Sequence, residues 1–149
     1  MRILKKFREF LEMGIVKKCS PDKSRAEYLI GDADESYKSL REFIDKVGIN
    51  DANSNIMIKE AYDVVMSLVR AKMLSDGFSA SGSGAHAAEV SYLDELKFPE
   101  EEVYFANQLR YFRNGILYHG KKLDRRYAEK VYSFLSRIYP KLKKLLSFK

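Results

Sequence analysis

Apolar residues recur along this chain at intervals of three and four, with no convincing strict alternation, so the pattern predicts helices from end to end. In "SPDKSRAEYLIGDADESYKSLREFIDKVG", residues 20–48, the stripe is Ala33, Tyr37, Leu40, Ile44 and Val47. Ser20 is placed as the N-cap, Pro21 at the first helical position and Gly48 as the stop. "NSNIMIKEAYDVVMSLVRAKMLSDG", residues 53–77, repeats the design with Ile58, Ala61, Tyr62, Val65, Leu68, Val69 and Met73, closed by Gly77.

"FPEEEVYFANQLRYFRNGILYHG", residues 98–120, has Pro99 and three glutamates in its first turn, where they complement the positive end of the helix dipole. Its stripe is Phe105, Leu109, Phe112 and Ile116. "DRRYAEKVYSFLSRIYPKLKKLLSF", residues 124–148, carries Val131, Phe134, Ile138, Leu142 and Leu145, with Pro140 as a point of kinking. Shorter helices are expected in "ILKKFREFLEMG" and "AHAAEVSYLDEL". Long amphipathic helices joined by short loops specify an all-α, antiparallel up-and-down bundle of four to five long helices. No internal repeat divides it, so residues 1–149 read as one domain, with 1–19 as a short helix and connector.

The low-complexity stretch "FSASGSGAH", residues 78–86, lacks the preceding strand and the Lys-Ser or Lys-Thr pair of a phosphate-cradling loop. It reads as a flexible connector ending in an N-cap, with His86 in the next helix's first turn as a surface or partly buried histidine. With 46% hydrophobic and 13% aromatic residues, 149 positions suffice for a real core. A single cysteine, Cys19, excludes an intramolecular disulfide and a thiolate metal cluster. Lys17 and Lys18 could lower its pKa, but no histidine adjoins it to form a reactive pair. The opening "MRILKKFREFLEMG" lacks the sustained apolar run of a signal peptide, and no stretch is long enough for a membrane span. A cytoplasmic protein without a membrane role is the expectation.

Charge is unevenly placed. Ten Lys and Arg between Lys121 and Lys149 face only Asp124 and Glu129, a local balance of +8 within a net +6. That asymmetry suits a polyanion such as RNA, and suits equally a lysine-rich solvated face.

Candidate chemistry concentrates in "RYFRNGILYHG", residues 110–120. An imidazole can take a proton from a ribose hydroxyl or give one to a leaving oxygen. A guanidinium can grip a phosphate through two parallel hydrogen bonds, and an amide can orient either group. Arg113, Asn114 and His119 supply these three groups without a metal or other cofactor. On a straight helix, six positions carry His119 about 120° around from Arg113, so the two would not face one point. A helix end frayed at Gly115 and Gly120, or a dimer in which two such ends meet, would bring them together. His119 is also in step with Ile116 and Phe112, which leaves open a core histidine or one that only complements the helix dipole.

An all-helical chain of this length, with an Arg-Asn pair preceding a histidine on its penultimate long helix, resembles the HEPN family (higher eukaryotes and prokaryotes nucleotide-binding). "RNGILYH" carries the resemblance by spacing and by the polar residue after the arginine, and the Gly-then-His layout of "GFSASGSGAHAAEVSYL" is similar. The likeness runs roughly from Ser20 to the end. It implies a dimer whose two motifs face each other across a cleft, and a metal-independent endoribonuclease in which a 2′-hydroxyl attacks the adjacent phosphate. By that resemblance Arg113 binds and polarises the phosphate, His119 transfers the proton and Asn114 supports them. Many members are toxins paired with a minimal nucleotidyltransferase antitoxin. Where nucleotide transfer silences them, the modified tyrosine lies two residues after the histidine. Lys121 stands there instead, and Tyr118 reads as a packing or interface residue.

Arg110 could widen a positive cleft or pair with Glu102 or another acid. Lys121, Lys122, Arg125 and Arg126 suit RNA-backbone contacts or a solvated loop alike. Asp32, Asp34 and Glu35 show no metal-ligand spacing with either histidine. Three function classes remain: a dimeric ribonuclease, a non-catalytic RNA- or nucleotide-binding module, and a partner subunit completing a nucleotidyltransferase.

Overall fold

The structure is a computed structural model describing residues 3–147. Met1, Arg2, Phe148 and Lys149 lie outside the described residues. In chain order the elements are α1 (Phe7–Glu12), β1 (Val16–Lys18), α2 (Lys23–Val47), α3 (Ser54–Asp76), β2 (Phe78–Ala80), α4 (Ala85–Glu95), α5 (Glu100–His119) and α6 (Arg125–Leu145). The four long helices α2, α3, α5 and α6 form an all-α bundle of alternating direction. Asp34 meets Lys143 and Tyr37 meets Tyr139, which sets α2 antiparallel to α6. Asp63 meets Arg113, and Asn55 meets Leu123 in the loop just past the end of α5, which does the same for α3 and α5.

α3 is the centre. Its buried residues run from Ser54, Met57 and Ile58 through Tyr62, Val65 and Val69 to Met73 and Leu74, and short of its last residue leave only a strip at Ile56, Glu60 and Asp63 exposed. The other helices bury one stripe each, as amphipathic helices on a core do. On α6 that stripe is Val131, Phe134, Leu135, Ile138 and Leu142, and the helix runs on past Pro140. Leu145 is 40% exposed, and Leu146 takes the inner position instead. On α5, Val103, Ala106, Asn107, Leu109 and Gly115 are the deeply buried positions. Phe105, Phe112 and Ile116 are half-buried, with Phe105 against Phe134 and Phe112 against Tyr127.

Two expectations fail locally. The periodicity gave no strand, yet β1 and β2 pair antiparallel with Lys17 opposite Ser79. Three residues per strand are too few for an alternation signal. What fixes the pairing lies elsewhere: Phe78 packs edge-on against Phe7 at 5.2 Å and also meets Tyr92. The stretch at 78–86 is therefore a strand and turn rather than a flexible connector, and the residue that caps α4 is the left-handed Gly84, without a side-chain bond. The start of α2 also shifts. Cys19 donates its N–H to the Gly77 carbonyl, and Asp22 donates its own to Leu74. Residues 19–22 are thereby tied to the end of α3, so Ser20 and Pro21 precede the helix. Asp22 is the N-cap, accepting the Arg25 N–H at 3.0 Å.

Gly48, Gly77 and Gly120 end their helices as the sequence indicates. Gly77 is the most constrained. Its φ is +89°, and an added Cβ would lie 2.9 Å from the Cys19 carbonyl oxygen. Gly77→Ala is expected to cost about 1–3 kcal/mol, read as a lowered urea midpoint with an unchanged slope.

Candidate functional site

α5 stays helical through His119 and stops at Gly120, whose φ of +63° is left-handed. The Lys121 N–H then reaches back to the Gly115 carbonyl at 3.1 Å, closing the helix end. The Lys121 stem lies across Gly115, where a Cβ would meet it at 3.4 Å. So the terminus is closed rather than frayed. His119 is exposed, with no hydrogen bond or ion pair among the described residues, which removes the core-histidine reading. It sits in the last turn, where a protonated imidazole complements the helix dipole.

The loop after it is held by the start of α3. Asn55 Nδ2 donates to the Lys121 carbonyl at 3.0 Å, and Asn55 Oδ1 accepts from Leu123 N at 3.0 Å. The buried Ser54 hydroxyl donates to the Leu123 carbonyl, and Asp51 accepts from Arg125 N at 2.8 Å. Asp124 caps α6 by accepting from Tyr127 N.

Arg113 faces the other way. Its guanidinium pairs with Asp63 at 3.2 Å and stands over the Tyr62 ring, 5.1 Å from the centroid. Its side chain is 18% exposed, and Nε is buried without a hydrogen-bond partner. Along α5, Arg113 and His119 are about 9 Å apart in rise and about 120° in rotation. No hydrogen bond joins either to Asn114, which is half-buried, so one chain does not assemble the three groups at a point. Arg110 does not pair with Glu102. It donates from Nε and from a terminal nitrogen to Asn107 Oδ1, while Glu102 pairs with Lys141 at 2.8 Å. Lys121 and Lys122 are exposed, with no acidic partner among the described residues.

Several participants gave no sequence signal as a site. Glu89 is 4% exposed at its side chain and is held by Arg70 through bonds of 2.7 and 3.1 Å. His86 Nδ1 stands 3.4 Å from the same carboxylate, so His86 is a half-exposed flank of this pair. Burial raises the Tyr62 pKa, with the nearby Glu89 adding to it and Arg113 and Arg110 opposing. Its phenol therefore stays protonated. Elsewhere, Asp34 pairs with Lys143, and Cys19 is an exposed free thiol.

Compared with protein-family models, curated proteins and solved structures, the chain matches none.

Two outcomes follow from this geometry. Arg70→Met leaves the Glu89 carboxylate buried without its bidentate partner and should destabilise the fold by about 3 kcal/mol in denaturant titration. Adding Glu89→Leu should recover most of that loss. Burial raises the pKa of Tyr62, Tyr92 and Tyr127, so the folded state binds their protons more tightly than the unfolded chain. The stability they contribute is fully present below the ordinary tyrosine pKa of about 10 and is lost as pH rises above it. Absorbance titration of the 10 tyrosines should show these three ionising only together with unfolding.

Proposed function

We propose that this protein is a metal-independent endoribonuclease of HEPN type, in which Arg113 holds a phosphate, His119 transfers a proton and Asn114 orients them, across a homodimer. The observation that carries the reading is the outward face of α5. Tyr104, Tyr111 and Tyr118 recur every seven residues and are 61%, 47% and 74% exposed. Helical rotation gathers them within an arc of about 40°, with Asn114 about 40° beyond one edge and His119 about 60° beyond the other. An aromatic stripe of this kind, uncovered in one chain, suits a second copy packed along α5. A second copy crossing near the end of α5 would set Asn114 and His119 beside their counterparts, while Arg113, on the opposite side of α5, would reach that site only from the flank held by Asp63 and Tyr62.

The preformed grip on Arg113 supports the assigned role. A guanidinium already fixed by Asp63 and the Tyr62 ring needs little reorganisation to meet a phosphate. The HEPN resemblance extends the proposal to a toxin restrained by a minimal nucleotidyltransferase, with Lys121 where a modifiable tyrosine would stand. A second reading is favoured by the Asp63–Arg113 pair itself. With its arginine already neutralised, the motif would bind RNA or a nucleotide without cutting it, or complete a partner nucleotidyltransferase.

RNA cleavage in excess EDTA, with the new ends mapped, tests the choice. The expected result is cyclic phosphate ends, and a fall in rate of about 10²–10⁴-fold in His119→Ala. Mixing Arg113→Ala with His119→Ala protein should restore part of the activity if one site draws on both chains. Binding without turnover in the unaltered protein would select the second reading.

A further inference from the structure

Most of the basic C-terminal stretch lies on α6, and the structure sorts its charges into two sets. Arg125 pairs with Glu129, Lys141 with Glu102 and Lys143 with Asp34. Arg126, Lys130, Arg137 and Lys144 are exposed and have no acidic partner among the described residues. These four are not scattered. At about 100° per residue they fall within an arc of about 40°, spread over roughly 27 Å of helix. No acidic residue of α6 shares that arc, because Glu129 lies about 60° beyond its edge. The arc is turned away from the buried stripe of Val131, Phe134, Leu135, Ile138 and Leu142, whose nearest member, Phe134, lies about 40° past its edge.

The arrangement works against the helix that bears it. Arg126 stands in the first turn, at the positive end of the dipole, where cations are unfavourable. Arg126 and Lys130 are also a like-charged i,i+4 pair. On α5 the same positions carry Glu100, Glu101 and Glu102. The Arg137 guanidinium is held on the ridge by a 2.9 Å bond to the Ser133 hydroxyl rather than drawn to an acid. The ridge begins where the Lys121–Asp124 loop joins α6, so its first cation is seven positions along the chain from His119.

We propose that the ridge of Arg126, Lys130, Arg137 and Lys144 is the track along which the backbone of an RNA strand lies, leading it to the end of the bundle that carries His119. The inference rests on the ribonuclease reading for its direction, but not for its binding. Lysine and arginine contacts of this kind fix the position of a strand through its phosphates and read no sequence. Counterions released from the strand make the binding steeply dependent on salt. Lys121 and Lys122 continue the positive surface from the ridge toward the motif.

The test is fluorescence anisotropy with labelled oligouridylate long enough to span the ridge, in the His119→Ala background so that the probe stays intact. Combining Arg126→Gln, Lys130→Gln, Arg137→Gln and Lys144→Gln should weaken binding on the order of a hundredfold at low salt. It should also lower the slope of log affinity against log salt by about 3, from four lost phosphate contacts on a single strand. The charge-preserving set Arg126→Lys, Lys130→Arg, Arg137→Lys and Lys144→Arg should keep both, which separates lost charge from damaged folding. If the unaltered chain cuts nothing yet ridge-dependent binding persists, the track stands and the ribonuclease reading falls. An unchanged affinity and slope in the glutamine set would overturn the track. So would a chain that sediments with anionic lipid vesicles and leaves the oligouridylate free.

Discussion

The groups of the candidate site are positioned by α3, which buries more of its surface than any other helix among the described residues. On its buried faces there is no solvent to satisfy polar side chains, and each must find a partner on a neighbour or remain protonated and neutral. Ser54 and Asn55 at its start bind the loop that follows His119. One turn past the middle of its first half, Tyr62 and Asp63 hold Arg113. Further along, Arg70 holds Glu89 of α4. The spacing along α3 thus sets where α4, α5 and the α5–α6 loop sit. A slip of α3 by one residue would rotate all of these partners by about 100° away from their neighbours.

That dependence explains which parts of the structure were legible in the sequence. The long helices were, because each carries a local apolar stripe and a terminating glycine, and both signals lie within a few residues of what they specify. Gly120 is an example: its place after His119 is enough to announce the left-handed stop. The strands β1 and β2 were not, since their pairing joins residues some sixty positions apart and depends on Phe78 packing against Phe7. Ser20 looked like a cap because the pull of Gly77 and Leu74 on residues 19–22 is equally non-local.

The candidate site divides along the same line. Arg113, Asn114 and His119 were visible as residue types at a suggestive spacing, but the environment of each was not. Asp63 lies fifty positions before Arg113 and reads in the sequence as one more acid on a helix. Glu89 reads as a solvated residue between alanine and valine, though it is among the most buried carboxylates of the chain. Arg110 was open between a cleft and an ion pair, and its actual partner is the buried amide of Asn107, which no charge pattern would reveal. Pair identity is a tertiary property, and only one of the two partners announces itself.

Arg113 and His119 differ in a way that bears on chemistry. One is fixed, partly buried and already neutralised; the other is exposed at a closed helix end, with no partner among the described residues. Under the ribonuclease reading this division has a physical sense. Phosphate binding gains from a guanidinium whose orientation is set in advance, while proton transfer needs a group that can reach two oxygens in turn. It also has a cost. In open solvent the Arg113–phosphate attraction is screened, and Asp63 competes for the same guanidinium. Both handicaps shrink if water is excluded and a second positive group arrives, and a single chain offers neither. Under that reading, the bare tyrosine face beside His119 is where a second chain would pack, and the unpaired cations of α6 are what would bring a strand to the motif. Under the ribonuclease proposal, the aromatic face and the basic ridge act together in a working unit larger than one chain.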